Sequence, residues 1–202
     1  MSIDARSVPQ SPDLTEAEGR SLAVDRAPTQ YVQSWCMPDG TRLTVRPIRP
    51  DDEPLLRDFF RTLSEQTVYL RYLHMVQRAQ LVAHEALSHL CFVNFDQEIA
   101  LVVEGRHSGN EGPVILGVGR LSRMARLEEA EFDILVHDLY QRHGLGTALL
   151  RRLIEVGRTE GLRRITATML CDNHGMQRTC QKLGFQLKYV PEDQAIVASL
   201  EL

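Results

Sequence analysis

The residues best placed to do chemistry lie in Asp138-Leu139-Tyr140-Gln141-Arg142-His143-Gly144-Leu145-Gly146-Thr147, where a strand-like apolar run gives way to a helical one. Two glycines stand at the changeover, and Leu145, Leu149, Leu153 and Val156 then recur along one side of a helix. The first turn of a helix has N–H groups without carbonyl partners and carries roughly +0.5 of an elementary charge. Glycine lets an anion approach those N–H groups with no Cβ in the way. The chemistry on offer is the holding of a phosphate or pyrophosphate. The competing reading is a tight strand-to-helix turn that binds nothing. Two familiar phosphate cradles are excluded: a GxGxxG fingerprint in an early βαβ unit, because Gly144-Leu145-Gly146 comes late and lacks the third glycine, and GxxxxGK[ST], which is absent.

Little else in the chain suggests a reactive or metal-binding group. Cys36, Cys91, Cys171 and Cys180 show no CxxC spacing, which argues against a zinc site or a disulfide framework and suits a reducing cytoplasm. No histidine pair has HxH or HxxxH spacing, and His84 and His89 fall on different helix faces, so no metal is expected. A formal charge of −4 without a Lys/Arg block gives no field for nucleic acid or anionic lipid. No apolar run is long enough to span a bilayer, and no secretory leader pattern opens the chain, so no membrane partner is expected.

Around the turn, the patterns predict one domain over residues 29–202. Residues 1–28 are rich in Ser, Pro and charge and poor in large apolar groups, and are expected to form a flexible tail. Residues 31–36 and 42–46 read as strands around the turn signal Pro38-Asp39-Gly40. Arg49-Pro50-Asp51-Asp52-Glu53-Pro54 opens a helix carrying Leu55, Leu56, Phe59, Phe60 and Leu63. Ser64 starts a short helix through Tyr72, and 77–90 reads as a third. Residues 99–103 and 114–118 form a hairpin around a polar loop, 107–112. Then come a strand at 131–136, the glycine turn with its helix to about Glu160, a strand at 164–169, a helix at 173–183, and strands at 185–189 and 195–200. Gly161 stands where a left-handed cap would end the long helix. The order predicts an α/β fold: a single mixed, mostly antiparallel sheet with helices on both faces.

Gln/Arg-x-x-Gly-x-Gly/Ala after a strand resembles the coenzyme A signature of the GNAT superfamily of N-acyltransferases. Val136-His137-Asp138-Leu139-Tyr140 is similar to the lead-in of that signature, and Asn173 with Lys182-Leu183-Gly184-Phe185 to the superfamily's C-terminal segment. A narrower likeness covers nearly the whole predicted domain. Residues 39–52, Leu63-Ser64, Tyr69-Leu70-Arg71-Tyr72 and Glu129-Ala130-Glu131-Phe132 resemble bacterial Pat-type protein lysine acetyltransferases. In that family the domain often adjoins a regulatory or synthetase-like partner domain, whereas here it is expected to stand almost alone.

The resemblance implies acetyl-CoA as cosubstrate and a protein lysine as acceptor, with the active-site lysine of an AMP-forming acyl-CoA synthetase as the usual target. It implies Glu131 as the base, with Glu129 and Asp133 sharing its strand parity. It implies an oxyanion donor at the strand-end N–H near Val136, freed by a bulge, with Leu135 and Val136 both contacting the cosubstrate. In the turn that begins at Gln141, itself a cofactor-binding residue, the amides of Arg142, His143, Gly144, Leu145, Gly146 and Thr147 would hold the pyrophosphate, with the Arg142 guanidinium as a secondary contact. Asn173 reads first as a helix N-cap and second as a coenzyme A contact. Where many relatives carry a tyrosine acid, this chain has Cys180. Three functions stay open on these grounds: protein lysine acetylation, acetylation of a small amine, and non-catalytic acyl-CoA sensing.

Overall fold

The computed structural model describes residues 29–37, 40–106, 112–124 and 128–202. The expected tail at 1–28, most of the Pro38-Asp39-Gly40 turn and most of the 107–112 loop lie outside these residues. The strands are β1 (Gln33–Cys36), β2 (Arg42–Pro47), β3 (Glu98–Gly105), β4 (Val114–Arg123), β5 (Glu129–Val136), β6 (Arg164–Leu170), β7 (Gln186–Val190) and β8 (Ala195–Glu201). The helices are α1 (Glu53–Thr62), α2 (Glu65–Tyr72), α3 (Arg78–Leu81), α4 (His84–Cys91), α5 (Leu145–Thr159) and α6 (His174–Lys182). The strands make one open sheet in the order β1-β2-β3-β4-β5-β6-β8-β7. Every neighbouring pair is antiparallel except β5 and β6.

The sheet has a core on each face. On one side α5 sets Leu145, Leu149, Leu150 and Leu153 against Ala130, Phe132, Ile134 and Val136 of β5. On the other, α1 to α4 bring Leu56, Phe59, Phe60 and Leu87 against Ala100, Val102, Val118 and Leu135. Strands covered on both faces read as continuous apolar runs rather than alternating ones. This is the pattern of β3, and of Ile134-Leu135-Val136 in β5. Close seating of α5 depends on Gly119 of β4, where an added Cβ would meet Leu149 and Leu153 at 3.0 Å.

The expected elements are present, with two differences. The helix foreseen over 77–90 is two short helices, because the backbone is extended at Ala83 (φ −64°, ψ 141°) between them. The bend lets Leu81 and Leu87 enter the same core. The second difference concerns the bulge. The only register shift in the strand pairings of the described residues lies between β3 and β4, at Val103/Glu104, while β4 and β5 pair without interruption. Gly161 does take positive φ (+74°) after α5, as expected of its cap.

One buried ion pair ties the sheet to the first helix. Arg46 of β2 donates two hydrogen bonds to the Asp52 carboxylate, both 2.7 Å, and a third to Glu104 at 2.8 Å. Asp52 also accepts from the N–H of Arg49 at 2.8 Å, which fixes the entry to α1. Removing one member of a buried pair strands the other charge in low dielectric. Asp52→Ala should therefore lower the free energy of urea unfolding by about 3 kcal/mol, Glu104 retaining part of the compensation.

Candidate active site

The site begins where two strands part company. β5 and β6 pair only through Glu129–Arg164, Ala130–Ile165 and Glu131–Thr166. Past Glu131, β5 continues along β4 to Val136 and β6 continues along β8 to Leu170. A cleft of about 260 Å³ lies at the gap, lined among others by Arg71, Glu131, Ile134, Met169, Asn173 and Met176. A second cavity, among Phe60, Tyr72, Arg120 and Leu135, is about 20 Å³, room for little more than one water. Of these two, the cleft is the one with room for a substrate.

Backbone alternation decides which groups of β5 face it. The N–H of His137 donates to Leu116 O of the neighbouring chain segment at 2.9 Å, so odd-numbered residues turn their N–H and C=O toward β4. Ile134 and Val136 therefore turn theirs toward the gap. Leu135 does not: its peptide groups face β4, and its side chain is buried beneath the first four helices. Of the two strand-end residues expected to contact coenzyme A, Val136 thus turns its peptide groups to the gap and Leu135 turns them to β4, while Ile134 shares the orientation of Val136. The strand-end donor is freed by the divergence of β6, with no bulge in β5.

The glycine turn stands directly beyond this strand end. Gly144 is the N-cap of α5 with φ +88°, and Arg142 also has positive φ, +64°. For a residue with a side chain that conformation costs roughly 1–2 kcal/mol, a strain typical of functional turns. Leu145 is buried and His143 exposed, so Leu145 can offer a ligand its N–H alone. A Cβ at Gly146 would touch only Val136 Cγ2, at 3.7 Å. Packing thus does not demand glycine there, although glycine costs a helix about 1 kcal/mol relative to alanine. The empty space faces the strand end, and the unpaired N–H groups of Leu145, Gly146 and Thr147 begin the helix. These residues fit a diphosphate.

Gln141 is different. Its side-chain amide donates to Val136 O at 3.0 Å and to Thr67 Oγ1 at 2.9 Å, and its own N–H donates to Asp138 O at 3.3 Å. The donors of Gln141, expected at the pyrophosphate, are thus engaged within the chain. Asp138 beside it accepts from Ser64 N (2.9 Å), Ser64 Oγ (2.6 Å) and Thr67 Oγ1 (2.7 Å). Burial pushes the Asp138 carboxyl up, but the Ser64 hydroxyl and N–H and the Thr67 hydroxyl outweigh it and hold the group below its ordinary value. Ser64 is also the N-cap of α2, accepting from Thr67 N at 3.2 Å. Ser64 and Thr67 are the residues that sequence reasoning did not connect to the site.

Three carboxylates of β5 share one face, and their surroundings separate them. Asp133 is held by Arg71 through two contacts, 3.0 and 2.6 Å, and Arg71 stacks on the Tyr72 ring at 5.1 Å. Glu129 pairs with Arg164 at 3.6 Å. Glu131 is exposed on the cleft wall and, among the described residues, has no ion pair. Asn173 caps α6 by accepting from Met176 N at 3.1 Å and lines the cleft as well. Cys180 is fully buried in the core beneath α6, and that burial pushes its thiol up to about 12, so it is a packing residue with no access to the cleft. No group of histidine, cysteine and acidic residues among the described residues could hold a metal ion.

A parted pair of strands followed by a glycine-rich helix start defines the class. The chain belongs to the GNAT acetyltransferases: the model of the Acetyltransferase (GNAT) domain matches residues 42–186. It is an acyl-CoA-using transferase. Among relatives, Acetyltransferase PA5475 of Pseudomonas aeruginosa is 29% identical over 159 residues, 79% of this chain and 83% of that protein. Acetyltransferase Pat of Mycolicibacterium smegmatis is 28% identical over 158 residues, 78% of this chain; the match spans only 45% of that protein. The GNAT domain of S. lividans PAT superposes with a TM-score of 0.77 at 25% identity, covering 87% of this chain and 99% of that domain.

Two measurements test this geometry. Gly146→Ala should keep or raise the melting temperature while weakening coenzyme A binding about tenfold or more by calorimetry, since the methyl group would meet Val136 Cγ2 only at ordinary contact distance, 3.7 Å, and otherwise fill the open space before the helix start. For Asp138, a depressed carboxyl stabilises the fold above its unfolded value of about 3.9 and loses that contribution as pH falls through the lower folded value. The stability gap between wild type and Asp138→Asn should thus be constant from about pH 7 to 5 and shrink below about pH 4.

Proposed function

We propose that the chain transfers the acetyl group of acetyl-CoA to a protein lysine, with Glu131 receiving the proton. The observation that carries this reading is the isolation of Glu131. It is exposed in the cleft where β5 and β6 separate, while its two neighbours on the same face are engaged by Arg164 and Arg71. An acceptor lysine is an ammonium ion at neutral pH. Freeing its lone pair costs roughly 4–5 kcal/mol, from about 3.4 pH units at 1.36 kcal/mol each. A carboxylate with no internal partner attracts the ammonium and takes its proton, directly or through a water.

The amine nitrogen then attacks the thioester carbonyl; the new C–N bond forms, the C–S bond breaks as the coenzyme A thiolate leaves, and the second proton lost by the nitrogen passes to that thiolate or to solvent water. Charge developing on the carbonyl oxygen is met by the cleft-facing N–H of Val136. The amides of Leu145, Gly146 and Thr147 hold the diphosphate, with the exposed Arg142 guanidinium as a further contact. Asn173 caps its helix and reaches the same cleft. A thiolate is a fair leaving group, so the chemistry requires no substitute for the inaccessible Cys180.

A protein acceptor is favoured by the openness of the cleft at Glu131 and Leu73, both solvent-exposed, and by the likeness to proteins named Pat. The target class is the active-site lysine of an AMP-forming acyl-CoA synthetase, in a cytoplasmic setting. Incubation with acetyl-CoA and such a synthetase should release free thiol and acetylate that lysine. Glu131→Gln should lower kcat by about 10²–10³ with little change in the KM for acetyl-CoA. A variant as fast as wild type would remove Glu131 from the mechanism. Faster turnover of free amines than of every protein acceptor would replace the protein substrate with a small one.

A further inference from the structure

We infer that α2 is a brace for the unpaired half of β5, and that Gln141 and Thr67 are positioning residues that aim the Val136 N–H at the reacting carbonyl. The inference rests on the acetyl-transfer reading above and assigns work to residues that touch no substrate in it.

A strand losing its neighbour after Glu131 has two problems. Its outer half is held on one edge only, and its cleft-facing carbonyls are negative dipoles set beside the N–H that must meet a developing oxyanion. α2 meets the first. Thr67 and Arg71 lie one helical turn apart on α2. Arg71 grips Asp133 in mid-strand, at 2.6 and 3.0 Å. Thr67 reaches past the strand's exit, where its hydroxyl donates to Asp138 at 2.7 Å and accepts from Gln141 at 2.9 Å. The two contacts bracket Ile134, Leu135 and Val136, the stretch that β6 has abandoned.

Gln141 meets the second problem. Val136 O faces the gap and accepts from Gln141 Nε2 at 3.0 Å, while the N–H of the same peptide, on His137, donates to Leu116 O at 2.9 Å. That peptide plane is therefore held from both sides. The carbonyl is satisfied, and the Val136 N–H is left as the donor facing the cleft, where no described strand pairs with β5. Thr67 fixes Gln141 by accepting its other amide hydrogen. Without this pair, the carbonyl would be free to rotate and to repel negative charge at the reacting centre.

The test is a series of Gln141→Leu, Thr67→Val and Thr67→Ser, read by steady-state kinetics and by amide hydrogen exchange of the substrate-free protein. Gln141→Leu and Thr67→Val should each lower kcat about tenfold or more, with the KM for acetyl-CoA within about twofold of wild type. Thr67→Ser, which keeps the hydroxyl, should restore kcat. Exchange at the His137 amide should be slow in wild type and Thr67→Ser and faster in the other two. A rise in KM at unchanged kcat would make Gln141 a ligand contact and overturn the inference. So would a Thr67→Ser variant as impaired as Thr67→Val, or unchanged His137 exchange. Because exchange needs no turnover, it judges the brace even if wild type proves inactive, an outcome that would count against the acetyl-transfer reading alone.

Discussion

A sheet that stops pairing in its own middle must do something with the backbone groups it leaves bare. Here β4–β5 and β6–β8 are long antiparallel ladders, joined to each other by three parallel residue pairs. The antiparallel ladders hold their strands over most of their length, so the weak parallel seam is where the sheet opens. Buried N–H and C=O groups rarely go without partners. The unpaired edge of β5 is therefore both a cost to the fold and a row of oriented dipoles ready for a ligand. Everything at the site either props that edge or uses it: α2 grips it, α5 begins beside it, and the cleft is the space it borders.

Charge is arranged on the same economy of partners. β5 presents three carboxylates, Glu129, Glu131 and Asp133, to one face. Arg71 and Arg164 neutralise the outer two. What is left on that face is one carboxylate, Glu131, without an ion pair among the described residues. The buried Arg46–Asp52 pair acts farther away, anchoring the helical layer from which α2 extends. Removal of the helical layer's anchor would thus reach the active strand indirectly.

Much of this was legible in the amino-acid order because its signals are local. Gly144 and Gly146 at the switch from strand to helix announce the glycine turn that opens α5, and Asn173 announces the start of α6. The parity of β5 was not legible: Ile134, Leu135 and Val136 are all apolar because both faces are covered, so nothing in them says which one faces the gap. Hence the sequence pattern does not separate Leu135 from Val136 or Ile134. The clamp was hidden by distance along the chain. Ser64 and Thr67 lie 74 and 71 residues from Asp138, and Arg71 lies 62 from Asp133. Gln141 sits in the motif, and only the fold shows its side-chain amide turned to Val136 O and Thr67. The split between α3 and α4 escaped notice because helical spacing continues across a bend that lies in the backbone alone.

The claim on which the account rests is that the bare edge of β5 and the start of α5 form one continuous binding surface for coenzyme A. Its most direct test is an amide chemical-shift titration with coenzyme A, reading each backbone N–H separately. The account predicts large shifts at Leu145, Gly146 and Thr147 and at Ile134 and Val136, with Leu135 between them little moved. Shifts confined to other parts of the chain, or equal movement of Leu135 and its two neighbours, would contradict it.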